Sequence, residues 1–559
     1  MPPRTNTRRV RSGSSQNLAG AGPRAHTGPY EKLINRMYEP LKLLHALDPV
    51  RGGHTASATL PSPITTQHIR RQFRDDLAFL CEHDKGGDAC TALGIEERED
   101  CLVYWVAANT NPQNKIVPFL ADLMRRLVAV LKDVHAAVSS GNSSTALLET
   151  ASKEITAYCT AYALSKIKKI CALLRKAIDN CTTSLAGGTF SGQEKALAGW
   201  LQRVSQSTDA LGAVGAGLDL CRLAYDKRKS AEMQTLKALA QMQQDQPHSA
   251  QSPLQCFSKA YHYIGRLADH IRVPARLVGS VMDVEDLLLN PFHIQALPVV
   301  DSAPYRPLPR PSGAGPATHR SLLESIAVRM CRSDDTELLA ELTAGLQELE
   351  QKHQLTQRMQ LDDESFKAPR VHAEVQVLEH FHAQRLVWAD NGDRYIGCSK
   401  AACYCCHLYF RHHPLRPVVP DCHNKVYLKW GPPLLVGGVA HPGFKEQQTL
   451  LNRFIEDVRK DAIEQIRERR GRRPFWQPDS ATAITQTVAG DNVDDGDRDN
   501  DGDDEDVGGG LLNSRFEDGV LHESSNSGDG TISAVSEKTY MSVDVMIRSL
   551  VSLDLNSDR

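Results

Sequence analysis

Five of the fourteen cysteines in this chain, Cys398, Cys403, Cys405, Cys406 and Cys422, fall within 25 residues of one another. In a short secreted chain such density reads as a disulfide framework. In 559 residues whose N-terminus lacks an apolar signal core it reads as a metal site. Cys403 and Cys406 stand three apart, so at the start of a helix both sulfurs project to one side. Cys405 lies about 200° round the same helix and points away. A helix N-terminus favours thiolates there and lowers their pKa. His372 opens a helix of its own, and its neutral imidazole is a third natural zinc ligand. Three protein donors with an open fourth position mark a catalytic zinc rather than a structural one. The rival fourth donors are Cys398, Cys405 and His407, of which Cys398, at a strand end, is the serious one. A redox Cys403/Cys406 pair lacks the thioredoxin-like βαβ unit it needs. The nine other cysteines, Cys81 to Cys331, are scattered singly and read as small buried hydrophobes.

Glu374 follows His372 by two residues, a spacing that sets its carboxylate beside the open position without making it a ligand. There it can accept a proton from water and pass it to a ring nitrogen and a leaving amine. H-x-E followed by C-x-x-C is the arrangement of zinc-dependent nucleobase deamination.

His372-x-Glu374, thirty residues onward to Cys403-x-x-Cys406, resembles the zinc core of the cytidine deaminase-like superfamily of nucleotide and nucleic-acid deaminases. The flanking text is similar to a branch of largely fungal nucleic-acid deaminases also found in some intracellular bacteria. The segments that carry this likeness are Val371–Gln376, Tyr395–Lys400 and His423–Trp430. The resemblance implies an α/β fold, a mixed sheet between flanking helices with zinc held between two helix N-termini. It also implies that His372, Cys403 and Cys406 bind Zn2+ and that Glu374 is catalytic. One departure stands out: the superfamily usually places Pro, a residue that shapes the pocket floor and is not a ligand, before the first Cys, and this chain has Ala402. Two strands should precede the first zinc helix. Residues 358–371 are too short for them, and Phe292 to Val300 is the one candidate nearby.

The expected organisation is a disordered basic tail at 1–30, a large all-α domain of unassigned role at 31–290, a linker at 291–317 and the zinc deaminase-like domain at 318–476. An acidic disordered tail at 477–540 and a short docking helix at 541–559 complete it. The clearest helix is Pro118 to Val138, with Phe119, Leu120, Leu123, Leu127, Val130, Leu131 and Val134 on one face. In the second half the expected elements are helices at 322–357, 373–386, 403–412 and 444–470, and strands at 394–397 and 426–428. The acidic run at 491–506 imitates a calcium loop, but Gly508 stands where the bidentate Glu belongs.

The function expected is zinc-dependent hydrolytic deamination of a cytosine or adenine base, with single-stranded DNA or RNA as the candidate carrier. The alternative is a catalytically inactive, zinc-stabilised interaction module working through its helical domain and acidic tail, each a candidate docking surface for a protein partner. The basic run Arg467–Arg473 beside Phe475 and Trp476 is a candidate nucleic-acid contact, with a plain helix terminus as its bland reading. Lys400, Lys425 and Trp430 are candidate lining of a substrate path. A net charge of -3 names no partner. No apolar run reaches the ~18 residues of a membrane span. The expected location is intracellular, cytoplasmic or nuclear before mitochondrial.

Overall fold

The computed structural model describes residues 28–52, 55, 65–187, 192–209, 215–242, 255–305, 321–331 and 335–471. The expected basic tail (apart from its last few residues), acidic tail and docking helix lie outside the described residues, as do Arg472, Arg473, Phe475 and Trp476.

Helices α1 (Pro29–Leu47) and α2 (Thr66–Cys81) come first, then a hairpin of β1 (Thr91–Glu97) and β2 (Leu102–Ala108). Seven helices follow: α3 (Ile116–Ser139), α4 (Thr145–Tyr162), α5 (Leu164–Gly187), α6 (Gly192–Asp209), α7 (Ala216–Lys227), α8 (Ala231–Met242) and α9 (Gln255–Gly279). A short α10 (Glu285–Leu289) leads into β3 (Phe292–Ala296). Then come α11 (Leu322–Met330), α12 (Thr336–His353), α13 (Leu355–Glu364), α14 (Ala373–Gln384), a single turn α15 (Ala389–Gly392), β4 (Gly397–Cys398), α16 (Tyr404–His412) and α17 (Phe444–Arg467).

The four strands form one mixed sheet in the order β3-β2-β1-β4. β1 pairs antiparallel with β2 and with β4, and β2 pairs parallel with β3. Parallel neighbours need a crossover connection. Here the crossover is the whole helical region from α3 to α10, set between two adjacent strands of the sheet. The expected large helical region is present, but it is not all-α. Residues 31–290 also contain the two central strands, and the expected linker contains β3. The missing pair of strands thus precedes α14 by more than 250 residues.

Periodicity hides this hairpin for a physical reason. β2 is buried on both faces, so Leu102-Val-Tyr-Trp-Val-Ala-Ala shows no alternation and cannot be told from a helix segment. The connecting Arg98-Glu99-Asp100-Cys101 carries no Gly or Asn turn signal either. On one face of the sheet, Leu93, Ile95, Tyr104 and Val106 pack with α2 and α3. On the other, Ala92 and Ala107 pack with α14 and α16. Gly94 permits the second contact, because a Cβ there would stand 2.7 Å from Phe381 and Val377 of α14.

The α3 stripe is buried as its spacing predicts, from Phe119 to Val134. Burial of each such side chain contributes roughly 1.5–3 kcal/mol. Of the strand expected at 394–397, only Gly397 is in a strand, the two-residue β4 (Gly397–Cys398). That expected at 426–428 does not form. Its neighbours instead make isolated bridges, Val50 with Lys425 and Arg370 with Trp430, because the chain there is met residue by residue from two sides.

Candidate metal centre

His372 is the N-cap of α14 and Cys403 the N-cap of α16, so each presents its side chain where that helix exposes backbone N–H groups. The Cys403 sulfur accepts the Cys406 amide at 3.4 Å, which caps α16 and fixes the thiol. That helix stops at His412, one residue before His413-Pro414, as proline requires. His372 Nδ1 lies 3.6 Å from Cys403 Sγ and 3.3 Å from Cys406 Sγ. The three donor atoms all fall within 4.8 Å of one another, the one such group among the described residues. A tetrahedral zinc, with bonds of about 2.3 Å to sulfur and 2.0–2.1 Å to nitrogen, sets its donors roughly 3.5–3.8 Å apart. The spacing and the N/S2 chemistry both fit that ion.

The proposed fourth donors are otherwise engaged. Cys405 is buried beside the site, where its thiol hydrogen-bonds the Cys403 sulfur, and it is not part of the three-donor group. His407 turns its Nδ1 to the Pro420 carbonyl, and Cys398 donates to the Ile396 carbonyl. Glu374 is half-buried, and its carboxylate hydrogen-bonds the Cys406 thiol.

Charge at the site is tightly linked. Burial works against a Cys403 thiolate, but hydrogen bonds from Cys405 and Cys406 and the His372 imidazolium outweigh it and hold its pKa well below the usual thiol value. Burial likewise disfavours a charged His372, and the facing Cys403 thiolate reverses that and raises it. Burial first, and then the Cys403 charge, raise Glu374 above an ordinary carboxyl.

Residues distant in sequence hold these ligands in place. The side chain of Asn109, just after β2, accepts the Ala373 amide at 2.9 Å and so caps the helix that His372 begins. Gln376 donates to the Val371 carbonyl at 2.9 Å, fixing the residue before His372. Asp75 of α2 accepts the Tyr395 hydroxyl at 2.6 Å and the Cys398 amide at 2.9 Å, which pins β4. None of these is legible before the hairpin is recognised, after which an Asn at a strand end facing the zinc helix is a signal. The Tyr427 ring centroid stands 6.4 Å from that of His372 and forms an aromatic wall beside the donors.

Two of the wider candidates, Trp430 and Lys400, have partners of their own. Trp430 is fully buried, stacked on Phe454 at 5.4 Å, so it is core rather than substrate lining. Lys400 pairs with Glu82 at 3.0 Å, and the backbone of Lys425 bridges to Val50. In the basic run, Arg467 pairs with Glu341, Arg469 with Glu348 and Arg470 with Glu468. Its described part is therefore occupied within the molecule.

The site is thus a three-donor N/S2 set between two helix N-termini, backed by a mixed sheet and flanked by a half-buried carboxyl, that could hold a metal ion. Residues 371–434 match the model of the OTT_1508-like deaminase family. No curated protein and no solved structure matches the chain. No described helix is long and apolar enough to cross a membrane.

Proposed function

We propose that the protein is a zinc-dependent hydrolytic deaminase acting on a cytosine or adenine base, carried on a single strand of nucleic acid or on a nucleotide. The observation that supports this reading is the convergence of His372 Nδ1, Cys403 Sγ and Cys406 Sγ with the Glu374 carboxyl against the same sulfur. His372, Cys403 and Cys406 would hold the ion. When bound, zinc supplies the Lewis acidity that activates water near neutral pH.

Glu374 takes a proton from the attacking water, returns one to the ring nitrogen and helps the amine depart as ammonia. The overall change replaces C–NH2 with C=O. The Cys403 thiolate beside it keeps the Glu374 carboxyl basic. Tyr427 offers a face for a planar ring beside His372. A base within a duplex would first have to be flipped out, which favours single-stranded carriers.

The test is metal content and turnover together. Wild type is expected to hold one zinc per chain, Cys403→Ser to hold almost none, and Glu374→Ala to retain it while losing deamination by at least 10²-fold. Zinc missing from wild type, or lost with Glu374→Ala, overturns the assignment. A Glu374→Ala protein with every function intact points instead to the zinc-stabilised interaction module.

A further inference from the structure

β3 is one edge of the sheet, with β2 on its inner side and no strand on its outer side among the described residues. Two bonds fix which way its backbone faces. Leu102 donates to the Pro291 carbonyl and Leu297 to the Val106 carbonyl, both at 2.8 Å. In a parallel ladder alternate residues bond the neighbour. His293 and Gln295 therefore turn their N–H and C=O groups to β2, whereas Phe292, Ile294 and Ala296 turn theirs outward. Among the described residues nothing meets those outward donors and acceptors. The side chains of Phe292 and Ile294 pack on the core beside α3, and those of His293 and Gln295 are exposed.

A bare edge is a template for another strand, and folded proteins usually blunt one with a charge, a proline or a bulge. β3 contains none of these. Its register with β2 runs unbroken from Phe292 to Ala296, and the chain from Leu287 to Val300 holds no Asp, Glu, Lys or Arg. Such an edge does not repel a second copy of itself. It is also self-complementary. When two of these strands run antiparallel about Ile294, Ile294 meets Ile294 and Phe292 meets Ala296, so each outward N–H finds an outward C=O. Two exposed hydrophobic side chains flank the strand, Leu289 at 40% and Val299 at 48% exposure. Each lies five residues from Ile294, one on either side, so the same two-fold axis carries Leu289 of one copy toward Val299 of the other.

We propose that β3 is a dimer contact: two copies of this chain pair through it, antiparallel and centred on Ile294, and their sheets join into one. A two-fold contact of this kind uses the same patch on both copies and closes on itself. β4, which leads into Cys403, is the opposite edge of the sheet, so the contact is separate from the metal centre. It stands whether or not the deaminase reading does.

The test is sedimentation of the full-length chain over a wide range of concentration. Wild type is expected to sediment at twice 61.7 kDa and to dissociate on dilution. In the proposed register His293 of one copy stands opposite Gln295 of the other, and both side chains are exposed, so they can be changed without disturbing the core. His293→Lys with Gln295→Lys sets like charges face to face and should weaken the dimer about tenfold. His293→Glu with Gln295→Lys sets opposite charges there and should restore it. Ile294→Pro removes the central outward N–H and no bond to β2, and serves if the like-charged variant does not fold.

A wild type that is monomeric at every concentration overturns the contact, as does a like-charged variant that dimerises as tightly as wild type. A charge-paired variant as weak as the like-charged one overturns the antiparallel register. A monomer whose amides at 292–296 resist hydrogen exchange has its edge covered by another segment of the same chain, which also overturns the dimer.

Discussion

Residues 371–434 and residues 29–108 contribute to one folded unit in opposite ways. The first segment supplies the candidate site: His372, Cys403 and Cys406, with Glu374 beside them, come from two helix starts and need only local spacing to be recognised. The second supplies none of the metal donors, yet it provides the two central strands, the helix α2 that pins β4, and α1, which packs along α17. Donor spacing is short-range, whereas a sheet that backs the donors can be assembled from any part of the chain. A match confined to the first segment therefore marks the site without marking the unit that folds.

The severest test of this contrast is to cut between the two. Residues 318–476 alone lack β1, β2 and β3, and are expected to show no cooperative unfolding transition and to hold no zinc. A well-folded, zinc-loaded fragment would show that the distant strands are dispensable.

A milder test acts through pH at the joint between α2 and β4. Burial pushes the Asp75 carboxyl up to about 7 in the folded chain, against an unfolded value near 3.8. The folded state thus binds the proton more tightly, so this group's contribution to stability falls as pH rises from about 4 to 7 and is constant above that. The fall amounts to at most about 4 kcal/mol. Asp75→Asn should remove it, which chemical denaturation at pH 5 and pH 8 would show as a smaller difference between the two conditions. An unchanged difference would mean that Asp75 is not the titrating group.

Packing and capping give smaller effects. Gly94→Ala places a methyl 2.7 Å from Phe381 and Val377 and is expected to cost about 1–3 kcal/mol, read from the denaturation midpoint. Asn109→Ala removes the cap on the Ala373 amide and should cost about 1 kcal/mol. Because that cap orients the start of α14, its loss should also weaken zinc retention against a chelator. Asn109→Asp, which keeps an acceptor, should restore retention.

The same contrast governs what the sequence reveals. The donors, both helix starts and the α3 stripe are legible, because capping and periodicity are local properties. The hairpin is not, because burial on both faces of Leu102–Ala108 erases the alternation that distinguishes a strand. Trp430 reads as candidate lining of a substrate path, and only tertiary packing against Phe454 and Tyr409 shows it to be core. Lys400 looks like substrate lining until Glu82, more than 300 residues earlier, claims it.

The crossover between β2 and β3 has a consequence for the chain as it is made. β2 leaves the ribosome complete at residue 108, but its edge partner β3 ends at 296 and β4, the partner of β1, at 398. At about 5–20 residues per second, roughly 15–60 s separate the hairpin from β4. During that interval the two strands present unpaired backbone and an apolar face, while the helices of the crossover are free to fold around their own core. Nascent chains stalled between residues 110 and 290 should accordingly be the ones that chaperones bind most.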